Sequence, residues 1–127
     1  MPRPHELPPE ARIQWATARQ AAAQDDDLLV EITEAFLSEC DGLCSDLTRS
    51  LLEGNMSEAT RAAHTLKCNL RSFGTGVAST MQRIEQSVKS GLMEPMIPVW
   101  QDAQPLVVHV AGQLRDWLEV QRGSELS

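Results

Sequence analysis

The sequence is short of the residues that build sheets. It has no Tyr, two Phe and three Trp, so aromatics make up only 4% of its 127 residues. Sheets favour aromatic and β-branched side chains, whereas Ala and Leu, which dominate the periodic stretches here, favour helices. Pro and Gly are sparse inside those stretches and fall mostly between them. No run of about 18 apolar residues occurs, so no membrane span is predicted. The N-terminus lacks the basic start and apolar run of a signal peptide, and a cytoplasmic protein is expected. There is no Gly-rich phosphate loop, which argues against ATP binding within the chain and against a self-sufficient kinase. There is no Glu-x-x-His either, so a di-iron carboxylate bundle is not indicated.

Positive charge is also scarce. Eleven Lys and Arg face eighteen Asp and Glu, a formal net charge of −7. Nucleic-acid binding needs many phosphates neutralised by Lys and Arg, and this balance argues against it. The charge is unevenly spread. Residues 24–53 hold nine acids and one base, Arg49, whereas residues 55–73 hold one acid, Glu58, and three bases, Arg61, Lys67 and Arg71. Cysteine is limited to Cys40, Cys44 and Cys68, an odd number with no disulfide framework. Cys40 and Cys44 stand one helical turn apart, but a tetrahedral metal site needs further ligands that the sequence does not offer. Buried or half-buried thiols, and no metal, are expected.

What remains is helical periodicity. One domain over residues 9–122 is predicted, with a mobile lead over 1–8 and a short tail over 123–127. A short helix over about 9–22 can start at Pro9, with Glu10 near its positive end. Asp25 or Asp26 can cap a long second helix, whose stripe is Leu29, Ile32, Phe36, Cys40, Leu43, Leu47 and Leu51. It would run to Glu53, about 40 Å, and stop at Gly54. Asn55 with Glu58 reads as a variant capping box for a third helix, with Met56, Ala59, Ala63, Leu66, Leu70 and Phe73 inward and Gly74 as its stop. Residues 77–90 give a fourth, with Val77, Met81, Ile84 and Val88 inward and Gly91 after it. The last segment is expected to be one helix over about 96–121, kinked near Pro105, with two helices over about 96–102 and 105–121 as the alternative. Its inner face is Trp100, Val107, Val110, Leu114, Trp117 and Leu118, and Gly123 ends it. Short links between long amphipathic helices specify an all-α, antiparallel up-down four-helix bundle with a short additional N-terminal helix. All the stripes are used within it, so a monomer is expected.

The third helix carries the unusual residue. His64 points about 130° away from the centre of its apolar stripe, so it faces solvent in mid-helix. Thr60, Arg61, Lys67 and Cys68 are its neighbours at three and four residues, and Arg71 follows one turn on. His64 can serve as nucleophile, general base, metal ligand or plain surface residue, and the residues alone leave these open. His5, in the lead, and His109, among Val107, Val108 and Val110, have no nearby cation and are read as solvated.

The stretch His64-x-Leu66-Lys67-Cys68, with Phe73 and then Gly74 ten residues after the His, resembles the signature of histidine-containing phosphotransfer (HPt) domains of bacterial phosphorelays. Cys68 stands where the family usually has Gly, and Thr75 where it usually has Ala. The resemblance extends over most of residues 26–120 and is specific between His64 and Gly74. It implies a phosphocarrier without its own ATP site and not a self-contained enzyme. His64 would accept a phosphoryl group from one receiver-domain aspartate and pass it to another, and Lys67 would stabilise the phosphoryl charge. Receivers of a hybrid kinase or response regulator would dock on Thr60, Arg61, Cys68 and Arg71, and would bring the Mg²⁺. Two other readings stand beside it. One is a helical docking or scaffold module that binds receivers without phosphate transfer, favoured by Cys68 at the Gly position. The other is a thiol sensor at Cys68, where cations activate a thiol.

Overall fold

The computed structural model describes residues 8–126, and these are helical almost throughout, with no strand among them. A 3₁₀ turn, Pro9–Ala11, precedes helix α1 (Trp15–Ala21). Then come α2 (Asp26–Glu53), α3 (Met56–Ser72), α4 (Val77–Lys89) and α5 (Met96–Leu126). The expected mobile lead over 1–8 lies, Pro8 apart, outside the described residues.

Local chemistry sets the helix ends. The Asp25 carboxylate accepts from the Asp27 and Leu28 amides, at 2.9 and 3.3 Å, and caps α2. Gly54 closes α2 in the left-handed conformation, at φ 72°. Asn55 then accepts from the Glu58 amide at 3.1 Å and opens α3. With links this short, consecutive helices run antiparallel. α3 packs on α2 and α4, and α5 packs on α2 and α4, which closes the four-helix ring. Its core is the predicted one: Leu29, Phe36, Leu47, Leu66, Leu70, Phe73, Met81, Ile84, Trp100 and Leu114 are buried. Phe36 and Phe73 meet edge-on with centroids 5.5 Å apart. The buried Trp100 indole donates to Thr48 Oγ1 at 2.9 Å, so its N–H is not left unpaired among apolar groups.

Four expectations need correction. The N-terminal segment is not one helix over 9–22 but a 3₁₀ turn, an extended stretch and a seven-residue helix. The break occurs because backbone groups there find partners outside a helix. The Gln14 amide donates to the Phe73 carbonyl at 2.9 Å and the Ile13 amide to Gln113 Oε1 at 3.3 Å, while Gln113 Nε2 donates to the Ala11 carbonyl at 2.6 Å. Met56, placed in the inner stripe of α3, is exposed at the first residue of that helix, and burial of the stripe begins at Ala59. α5 is the one helix expected, continuous through Pro105, but it does not stop at Gly123 and reaches Leu126. Trp117 is only half-buried; it lies against Trp15 of α1, ring centroids 5.6 Å apart.

The N-terminal segment therefore forms a strap across the α3–α4 turn. Gly74 makes this approach feasible: it sits at φ 69°, and a Cβ there would lie 2.6 Å from Gln14 Cβ and 2.9 Å from Thr17 Cβ. Gly54 has a similar φ of 72° with open space around it. Ala at Gly54 should cost about 1 kcal/mol from conformation alone, whereas Ala at Gly74 should cost roughly 2–3 kcal/mol because it adds a clash. Denaturant melts of the two variants will measure the difference; equal losses would mean that the strap yields freely.

Candidate functional site

The site lies where α3 and α4 face each other. His64 is exposed, with 55% of its side chain in solvent, and the residue that positions it is Glu85 of α4, whose side chain is 5% exposed. Glu85 Oε2 lies 3.0 Å from His64 Nδ1. A carboxylate only accepts, so in the neutral ring Nδ1 carries the hydrogen and the lone pair is on Nε2. Nε2 faces outward, and its one protein neighbour among the polar contacts is Cys68 Sγ at 3.6 Å.

Glu85 also holds two lysines. Lys67 Nζ lies 2.8 Å from Oε1, and Lys89 Nζ lies 3.0 Å from Oε2. Burial by itself pushes the Glu85 carboxyl upward, but hydrogen bonds from Lys67, Lys89 and His64 outweigh it and hold the group down to about 2. Two lysines against one carboxylate leave a surplus positive charge beside the ring. Every charge here has a partner, which is the condition for keeping a carboxylate out of water.

The predicted site residues are placed as follows. His64 and Cys68 touch. Lys67 is joined to His64 through the shared carboxylate and is only 13% exposed, so it is less free than an outer-face lysine. Arg61 turns away toward α2, where it pairs with Asp46 at 3.1 Å and with Glu58. Hydrogen bonding from Arg61 holds Glu58 below the ordinary carboxylate range. Arg71 donates to Gln82 of α4 at 2.9 Å. Thr60 is half-buried on the same helix. The basic island is thus largely neutralised in the fold: Arg61, Lys67 and Lys89 are all paired, and Arg71 has no carboxylate partner among the described residues.

Glu85 was not among the predicted site residues, although a signal for it exists. It sits about 70° off the centre of the Val77–Met81–Ile84–Val88 stripe, and a carboxylate on such a shoulder must find a partner. Lys67 lies about 70° off its own stripe on α3, on the side that His64 shares. The two shoulders meet across the α3–α4 groove.

Among the described residues, no group of three or more His, Cys, Asp or Glu is arranged to hold a metal ion. Lys67, Lys89 and His64 crowd the Glu85 carboxylate, and its buried Oε1 meets Lys67 as an ion pair at 2.8 Å without hydrogen-bond geometry. Cys40 and Cys44, on α2, are both buried, whereas Cys68, on the outer face of α3, is exposed and not buried or half-buried as expected. No described helix is long and apolar enough to cross a membrane.

The depressed Glu85 carboxyl links the site to stability. Its folded value lies below its unfolded one, so its contribution is present above the ordinary Glu range and is lost as pH falls toward 2. His64 and Lys89 lie largely in solvent, which discounts the gain to on the order of 1 kcal/mol. The stability of the wild type over Glu85→Gln should be constant above about pH 5 and shrink as pH falls through about 4.5. Thermal melts of both proteins from pH 7 to 3 check this; a gap independent of pH would place the stabilisation elsewhere.

A family model described as Hpt domain matches residues 31–124, from the first turns of α2 to near the end of α5. No curated protein matches the chain.

Proposed function

The chain belongs to the Hpt domain family, which gives it a histidine phosphotransfer role in phosphorelays, and from that premise we propose that His64 is the phosphoryl carrier. The observation that carries this reading is the buried Glu85 carboxylate on Nδ1, with Nε2 turned to solvent. A receiver domain presents an aspartyl phosphate. The Nε2 lone pair attacks phosphorus, the P–O bond to the aspartate breaks, and the freed carboxylate leaves with its electron pair. The new P–N bond leaves the ring positively charged while Nδ1 keeps its hydrogen. Glu85 accepts that hydrogen bond and stabilises the charge. Passing the group to a second receiver aspartate reverses these steps.

Lys67 offers a point charge to the phosphoryl oxygens. A phosphoryl group on His64 and the Glu85 carboxylate compete for it, and Lys89 remains to neutralise Glu85 if Lys67 swings outward. This chain supplies the nucleophile, its orientation and some charge. The Mg²⁺ of the reaction would come with the receiver. This reading takes Thr60, Arg61, Cys68 and Arg71 as the receiver-docking residues, Arg61 engaging only by leaving its Asp46 and Glu58 pairs, and it includes a cytoplasmic monomer.

Incubation with phosphorylated receiver domains tests it. His64→Gln should keep its fold, because exposed substitutions change stability by about 0.5 kcal/mol or less, and should take up no label. Wild-type label should be lost in acid and kept in base, as a phosphoramidate requires. Lys67→Ala should label about tenfold more slowly, since charge stabilisation is lost and the nucleophile is not. Arg71→Glu should slow transfer more at low salt than at high salt. Undiminished labelling of His64→Gln would move the acceptor to another residue.

A further inference from the structure

Three side chains form a line across the α3–α4 groove that phosphotransfer does not fully use. Cys68 Sγ lies 3.6 Å from His64 Nε2. His64 Nδ1 lies 3.0 Å from the buried Glu85. Thiol, imidazole and carboxylate thus stand in the order by which a base activates a sulfur nucleophile: the acid fixes the ring, and the ring's lone pair faces the S–H. Cys68 is also the exposed cysteine, whereas Cys40 and Cys44 are buried. Their mutual hydrogen bond raises the Cys44 thiol and lowers the Cys40 thiol, so it is the burial of both that sets them apart from Cys68. The thiol and an incoming phosphoryl group address the same nitrogen.

We propose that Cys68 is a thiol-modification site that gates His64: a low-molecular-weight disulfide exchanges onto Cys68, and the resulting mixed disulfide closes the approach to Nε2. The Cys68 proton passes to Nε2, and the thiolate attacks one sulfur of the disulfide. That S–S bond breaks as the bond to Sγ forms, and the departing thiolate takes the proton back from Nε2. Cys68 is oxidised, and the other half of the reagent is reduced to a thiol. In-line attack on phosphorus requires a donor about 3–3.5 Å from Nε2, a volume that a substituent on a sulfur 3.6 Å from Nε2 occupies. Reduction by a dithiol frees it. The gating of phosphotransfer rests on the function proposed above; the exchange chemistry and the closing of Nε2 do not.

The test uses the whole chain with oxidised glutathione as probe. Peptide mass analysis should place one glutathione on Cys68, with Cys40 and Cys44 unmodified, and Cys68→Ser should take up none. Exchange at Cys68 should be about tenfold slower in His64→Gln, which removes the base and keeps the exposed helix. In the adduct, His64 should be protected from diethyl pyrocarbonate, which reacts at ring nitrogens, and a dithiol should restore its reactivity. Phosphotransfer should stop in the adduct and return on reduction. Exchange rates equal within about twofold in wild type and His64→Gln, preferential addition at Cys40 or Cys44, or an unprotected His64 in the adduct would each overturn the proposal. Failure of the reduced protein to accept phosphoryl groups would instead count against the phosphotransfer reading, with exchange rates and ring protection still deciding this one.

Discussion

A single buried carboxylate joins the fold of this protein to its chemistry. Glu85 is almost out of solvent, and it stays ionised only because Lys67, Lys89 and His64 converge on it. The arrangement is sensitive to register: a slip of α4 against α3 by one residue would turn the carboxylate about 100° away from all three. Such a cluster is a poor way to gain net stability, since apolar residues of similar volume often do as well or better. What it provides is orientation. It fixes which nitrogen carries the hydrogen, turns the other to solvent, and keeps a lysine beside the ring without exposing it fully.

Much of the fold was legible from periodicity and caps. The α2 stripe, its Asp25 cap and its Gly54 stop were all readable, because a helix needs a regular apolar face and its ends need partners for their free backbone groups. The same reasoning placed His64 on an outer face. It failed where the decisive partner lies far away in sequence. Ile13 and Gln14 read as helix because nothing local shows that the Gln113 side chain and the Phe73 carbonyl will take up their amides. Met56 fits the stripe by angle, but angle does not reveal at which residue along the helix burial begins. Gly123 reads as a stop, yet glycine only weakens a helix.

The candidate site was half legible for a related reason. His64, Lys67 and Cys68 lie on one helix and can be placed relative to one another by geometry alone. Glu85 belongs to the next helix, and its shoulder position becomes meaningful only once α3 and α4 are known to pack there. The basic island read from composition is also less positive than its residue types suggest. Arg61 is drawn to Asp46, an acid of the very stretch that made residues 24–53 look uniformly negative. Composition counts charges, while the field at a site depends on which of them have cancelled.

The strap from Pro8 to Gln14 separates two definitions of a domain. By family likeness the unit begins at Glu31. By packing it begins earlier, because Ala11, Ile13, Ala18 and Ala22 are buried in the same core as the long helices. A fragment cut at Glu31 would leave the Phe73 carbonyl without its Gln14 donor and the Gln113 amide with only the His109 carbonyl, and would uncover the apolar surface those four residues shield. It would also shorten α2 at its capped end and remove the Asp25 carboxylate that the first amides rely on. A boundary drawn from likeness would thus pass through the inside of this protein, and a recombinant piece made to it would be a different object from the bundle described here.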